Sequence, residues 1–228
     1  MKKKLRLIVL CLFTIAYSTH NYAQSPNITA KFIGNCGMFL SDGDSHLYVD
    51  FPYKSGAFNY MEYDASEIDS IEENAVFLFT HHHNDHYSRK LMRKVKKRKG
   101  GKVFGNWNTD ELDSLNESFS IEAIKTSHNF SLKHYSYVIT WHGKRFYFSG
   151  DTETIDEALK IENIDWAFIT PWMSNSLVRA QKKLDAKMIA LYHLYPTQKL
   201  PEEKPDNYIF LIEQGEILDL SAEKEGGN

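Results

Sequence analysis

Along the chain, short apolar runs alternate with polar segments of helical spacing, and the order of the two changes partway. Ile28 to Phe32, Gly37 to Leu40 and His46 to Val49 are apolar or alternating, and Asp42-Gly43 between the last two is a hairpin turn signal. This opening predicts β-hairpins. A helical pattern then begins near Asp64 and runs to Ile71, followed by an apolar strand over Ala75 to Thr80. The alternation continues with a basic helix from Ser88 to Lys99, a strand at Lys102 to Phe104, a helix at Thr109 to Leu115 and a strand at Phe119 to Lys125.

Two longer strands, His134 to Trp141 and Arg145 to Ser149, flank the turn His142-Gly143 and predict a hairpin. Beyond it the pattern predicts a helix at Ile155 to Lys160, a strand at Trp166 to Thr170, a helix at Ser176 to Leu184, a strand at Met188 to Tyr192 and a last strand at Gly215 to Leu220. Hairpins followed by strand–helix units suggest two sheets between helices. No repeat, low-complexity tract or long linker divides the pattern.

With 228 residues, 42% of them hydrophobic, the chain is long enough for one domain with a sizeable core. Its first residues change that picture. Lys2, Lys3, Lys4 and Arg6 precede an apolar run from Leu7 to Tyr17, and a short polar stretch follows. This order is that of a secretory signal peptide, and the run is too short for a spanning helix, which needs roughly 20 residues. Residues 1–23 are therefore expected to be a signal removed after Ala23, with Ser18 as the alternative site, and residues 24–228 the domain. The expected location is exported, periplasmic or extracellular, with no membrane association once the signal is gone.

That removal would leave Cys36 as the only cysteine and exclude an internal disulfide. The formal charge of −3 would become more negative, so no overall basic character points to nucleic acid as a partner.

The chemistry concentrates in Thr80-His81-His82-His83-Asn84-Asp85-His86, between an apolar strand and a helix. Loops at strand ends commonly carry function. Imidazole nitrogens and carboxylate oxygens are the usual ligands of zinc and related metals, and His81, His83, Asp85 and His86 can diverge toward two adjacent ions. A fortuitous histidine run would have no further ligands elsewhere. Here His128, Asp151 and His193 each follow a predicted strand, as the first four do.

This set resembles the metallo-β-lactamase superfamily, whose pattern is His-x-His-x-Asp-His followed by a separated His, Asp and His. Asp50 matches a further acidic position of that family. The resemblance implies an α/β fold of four layers, an αββα sandwich. It also implies two divalent ions, zinc by default with manganese or iron as alternatives. His81, His83 and His128 would bind one ion, Asp85, His86 and His193 the other, and Asp151 would bridge them. The ions would activate a water held between them, and Asp85 would act catalytically by orienting it or moving its proton.

His83 stands where the oxygen-reducing branch commonly has Glu, which favours hydrolysis over redox chemistry. Asp151 is a bridging carboxylate that antibiotic-degrading branches generally lack. Looser likenesses after Gly150 and around Asp165 to Trp172 are most similar to the ascorbate-6-phosphate lactonase-like branch. The expected substrate is a small ester, lactone or phosphodiester. A metal-containing binding protein without turnover, or a phosphodiesterase or nuclease, is the alternative.

The basic run from Arg89 to Lys99 could steer an anionic substrate. More simply, it is a solvated face over a core side of Leu91, Met92 and Val95. Trp172 and Tyr195 are candidates for a pocket wall. His82 should point away from the metals, His46 and His142 should be structural or surface residues, and His134 should stand behind His128.

Overall fold

A computed structural model of the protein describes residues 27–51, 69–195 and 197–221. The expected signal peptide, and most of the helix expected from Asp64, lie outside the described residues. Among those described, no helix is long and apolar enough to cross a membrane.

Two six-stranded sheets form the body. The first holds β1 (Thr29–Gly34), β2 (Gly37–Ser41), β3 (His46–Val49), β4 (Val76–Phe79), β5 (Lys102–Gly105) and, at its other edge, β12 (Ile217–Asp219), in the order β12-β1-β2-β3-β4-β5. The second holds β6 (Phe119–Thr126), β7 (His134–Trp141), β8 (Lys144–Phe148), β9 (Ile164–Ile169), β10 (Ala186–Leu191) and β11 (Tyr208–Phe210), in the order β11-β10-β9-β8-β7-β6. Each sheet is antiparallel on one side and parallel on the other, with β3-β4-β5 and β8-β9-β10-β11 the parallel parts.

The patterning explains the layers. Alternate residues of both sheets, among them Phe32, Met38, Leu40, Val49 and Leu78 against Tyr137, Ile139, Phe148, Phe168 and Ala190, form the core between the sheets. Helix α1 (Arg89–Lys99) covers the outer face of the first sheet by packing Leu91, Met92 and Val95 on Tyr48, Phe77 and Phe79. Helix α2 (Pro171–Ala180) covers the second by packing Met173 and Leu177 near Val138, Ala167, Ile169 and Ile189. Because β4 and β9 are covered on both faces, every residue of each is buried. β4 therefore reads as a continuous apolar run rather than an alternating one, and β9 does so from Trp166 onward, past Asp165. The result is the expected αββα sandwich.

Several expected elements shift. Thr109–Ser114 and Ala158–Lys160 are 3₁₀ helices where α-helices were expected over Thr109 to Leu115 and Ile155 to Lys160. The helix expected from Ser176 to Leu184 starts earlier. The Thr170 side chain accepts from the Met173 amide and Pro171 takes the first helical position, a start that suits proline because the missing N–H has no intrahelical partner there. It ends at Gln181, in the left-handed region with φ of 53°. The half-buried β11, Tyr208-Ile209-Phe210, is an addition to the expected strands, although its residues are apolar.

Helix α1 matches its expectation. The Ser88 side chain accepts from the Leu91 amide, and the basic side chains occupy the face opposite the buried one.

At the end of the sandwich away from the C-termini of the parallel strands, Asp42 ties two turns together. Its carboxylate accepts from Trp141 Nε1 at 3.0 Å, from His142 Nε2 at 2.7 Å and from the amides of Asp44 and Ser45 at 3.1 and 2.8 Å. Burial works against the charged carboxylate, but these donors outweigh it and lower Asp42 to about 2. His142 is thus a structural residue, as is His46, which pairs with Ser41 Oγ at 3.0 Å. Asp42→Ala is expected to destabilise the fold by about 1–3 kcal/mol, the cost of leaving the buried Trp141 donor without an acceptor. Thermal unfolding checks this, and metal content should stay at the wild-type level because the turn lies at the far end.

Candidate metal centre

All seven residues singled out in the sequence converge on one end of the sandwich, beyond the C-terminal ends of β4, β6, β8 and β10. Such an end, where parallel strands deliver their last residues to loops, is where α/β sheets commonly place ligands. Three members of this region, Asn35, Asp50 and His193, have left-handed backbone, with φ of 53°, 48° and 59°. Backbone of this kind costs free energy for a residue with a Cβ and tends to gather at functional sites.

Two groups of ligand atoms stand side by side. In the first, His81, His83 and His128 place ligand nitrogens within 4.8 Å of one another. Their rings are 4.4, 5.0 and 5.1 Å apart. Imidazoles binding one ion at tetrahedral angles would have centres about 5 Å apart.

In the second group, Asp85, His86, Asp151 and His193 are all buried. Asp151 Oδ2 lies 3.2 Å from His86 Nε2 and 3.4 Å from His193 Nε2, and Asp85 Oδ2 lies 3.5 Å from His193 Nε2. Ligand atoms sharing one ion at tetrahedral angles are about 3.3 Å apart. Asp151 Oδ2 is also 3.8 Å from His128 Nε2, so the carboxylate reaches toward both groups.

Hydrogen bonds behind these residues set which nitrogen faces inward. Asp50 accepts from the Thr80 amide at 2.8 Å and from Thr80 Oγ1 at 2.7 Å. The single hydroxyl proton of Thr80 is thereby used, so its oxygen accepts from His81 Nδ1 at 3.0 Å. His81 Nε2 is left facing inward as a buried atom with no hydrogen-bond partner. His86 Nδ1 likewise donates to Asp50 Oδ2 at 3.1 Å, turning Nε2 toward Asp151. A carboxylate behind a ligating imidazole fixes the tautomer and strengthens the ligand. The unpartnered Asp151 Oδ1 adds to a set of buried polar atoms that fit a cation far better than an apolar core.

Asp151 is held through its peptide groups as well. His134 Nε2 accepts from the Asp151 amide at 3.0 Å, and Trp172 Nε1 donates to the Asp151 carbonyl at 3.1 Å. Burial pushes His134 down to about 3, so it is neutral, and its Nδ1 donates to Thr126 Oγ1 at 2.7 Å. His134 is therefore a neighbour of the ligands, as expected. Trp172 also packs edge-on against the His193 ring at 4.9 Å, which makes it a support for two ligands as much as a wall. Tyr195 is 43% exposed beyond His193. Gly150 must lack a Cβ, which at its φ of 55° would stand 2.7 Å from His134 Nε2 and 2.8 Å from the Thr80 side chain.

The two groups differ electrostatically. Burial, together with the nearby His86 charge, lowers His81, and burial lowers His128. Both are neutral and ready to donate a lone pair. Burial also works against charge on His86 and His193, yet Asp151 and its neighbours overcome it and raise both imidazoles. Conversely, burial raises the carboxylates, but His193 and His86 hold Asp151 well below its usual range and bring Asp85 to about 2.

Two contributors escaped the sequence reading. Asn35, on the β1–β2 turn, donates from Nδ2 to Asp85 Oδ2 at 3.4 Å and accepts from the His193 amide at 2.7 Å. Cys36 is fully buried, with Sγ 3.2 Å from His86 Nδ1. A polar pair in a hairpin reads as turn chemistry, so no signal marked either residue. His82 is exposed and packs on Trp107 with ring centres 4.7 Å apart, outside both groups as expected.

No family model matches the chain, and no curated relative matches it. Solved structures do. The metallo-β-lactamase fold protein YhfI of Bacillus subtilis is similar at 16% identity and TM-score 0.57, covering 85% of this chain and 99% of that one. Igni18, a metallo hydrolase of Ignicoccus hospitalis, is similar at 15% identity and TM-score 0.63, covering 84% and 97%. A diphosphatase from the PhnP family is similar at 12% identity and TM-score 0.59, also covering 84% and 97%. The two facing sheets, their outer helices and these similarities along most of each chain together identify the architecture: this protein has the metallo-β-lactamase fold.

Proposed function

We propose that this protein is an exported binuclear metal-dependent hydrolase of small esters, lactones or phosphodiesters. The observation that carries the reading is the position of Asp151 between a three-histidine group and an Asp-His-His group. His81, His83 and His128 would hold one ion, Asp85, His86 and His193 the other, with Asp151 shared and zinc the metal a histidine-rich set favours. When bound, a pair of such ions brings the pKa of a shared water toward neutrality and polarises the carbonyl or phosphoryl oxygen under attack.

The chain's own residues supply the rest. Asp85, ionised at neutral pH, is oriented by Asn35 and can accept the proton of the attacking water. Thr80 and Asp50 keep His81 and His86 in the tautomers that present Nε2. His134 and Trp172 fix the Asp151 peptide so that its carboxylate need not reorganise as charge develops. His83 and His128 are only half-buried, unlike the second group, so substrate enters from their side.

Likeness to the diphosphatase supports a phosphoryl rather than an acyl centre, the match around Asp165 to Trp172 supports the lactone option, and the signal-like order of residues 1–23 supports export. The test is a panel of phosphodiester, lactone, thioester and β-lactam substrates offered to metal-loaded protein. Turnover of an ester, lactone or phosphodiester is expected. A protein that carries its ions but turns over nothing in the panel would favour a binding role.

A further inference from the structure

The entrance to the centre carries two exposed apolar side chains from which the fold gains nothing. The β6–β7 connection leaves His128 and carries Phe130 and Leu132, which are 101% and 105% exposed. Phe130 has a φ of 61°, a conformation that suits glycine or asparagine and strains a bulky side chain. An exposed phenylalanine in strained backbone contributes neither burial nor backbone ease to stability, so its value lies in what it meets from solvent.

The loop is nonetheless fixed in place. His83 Nε2 donates to the Phe130 carbonyl at 3.4 Å, the Ser131 amide donates to the His128 carbonyl at 3.2 Å, and Asn106 Nδ2 donates to the Lys133 carbonyl at 2.6 Å. Two of these bonds run to candidate metal ligands. The third ties the loop to the segment that follows β5. A molecule whose reacting oxygen reaches the three-histidine group thus has the rest of its body beside Phe130 and Leu132.

We propose that Phe130 and Leu132 bind an apolar acyl or aryl portion of the substrate. The centre would then prefer compounds whose scissile group carries a hydrophobic chain over small, wholly polar ones. The inference rests on the hydrolase reading only for the identity of the reacting group. The apolar contact itself can be measured without turnover.

The experiment is calorimetric titration of zinc-loaded protein with acetate, butyrate, hexanoate and octanoate, repeated on F130S, L132S and the double variant after their metal content is matched to wild type. Affinity should rise along the series, by up to about three- to fourfold for each fully buried methylene, and the double variant should flatten the rise. The same chain lengths presented as p-nitrophenyl esters separate the two claims. A binding gradient without ester turnover would keep the apolar contact and remove the ester-hydrolase reading. Ester turnover with a flat carboxylate series, or a gradient that survives in the double variant, would overturn the apolar contact and leave the hydrolase standing. A gradient that survives while the double variant changes the sedimentation of the protein would overturn it too, by assigning the rim to self-association.

Discussion

Asp151→Ala is expected to strip metal from both positions and to lower turnover by at least about a hundredfold. Even residues that merely support ligands cost ten- to a hundredfold in affinity or activity, and among the described residues Asp151 is the one carboxylate that reaches both groups. Its removal leaves His86 and His193 as buried, elevated imidazoles without their principal counter-charge. His83→Ala should act on the three-histidine group alone. It is half-buried and belongs only to that group, so this variant should retain metal at the Asp85–His86–His193 side. Elemental analysis of the two variants, with circular dichroism to show that both remain folded, checks the contrast. Asp151→Ala protein that keeps two ions and full turnover would remove the bridging role.

Metal affinity should fall steeply on acidification, and more steeply than at an ordinary histidine site. An imidazole must give up its proton to bind a cation. His86 and His193 bind protons more strongly than an ordinary histidine, because the attraction of Asp151 outweighs the burial that disfavours charge. As pH falls, these imidazoles hold protons that the ion must displace, whereas Asp85 remains ionised down to about 2 and contributes no loss before then. The window is the neutral and mildly acidic range, below the raised imidazole values. There each displaced proton costs about tenfold in affinity per pH unit, and two cost about a hundredfold. Competition with a chromogenic chelator across that range measures the slope. A slope near zero would show that protons and metal do not compete at His86 and His193.

Much of this was legible in the sequence because the relevant signals are short-range. Strands covered on both faces are apolar over most of their length, so β4 and the part of β9 from Trp166 to Ile169 stand out. Chemical residues at strand ends have little structural reason to recur, so His128, Asp151 and His193 could be found far from the histidine-rich loop. In α1 the buried Leu91, Met92 and Val95 follow from helical spacing alone.

What was not legible depends on contacts across long chain separations. Asn35 and Cys36 matter because the β1–β2 turn lies under Asp85 and His86, 50 residues away. Trp172 matters because α2 begins close to Asp151, which follows from the Thr170 cap and Pro171 rather than from hydrophobic spacing. The exposed Phe130 and Leu132 look like ordinary strand or loop residues until the fold places them beside His83 and His128.

The central claim is a pair of ions held by seven residues, and metal stoichiometry tests it most directly. Protein purified without added metal, then dialysed against zinc and freed of excess, should contain two equivalents per chain by elemental analysis. A protein with no bound metal that also takes up none on reconstitution would contradict the account, and a single equivalent would contradict its binuclear part.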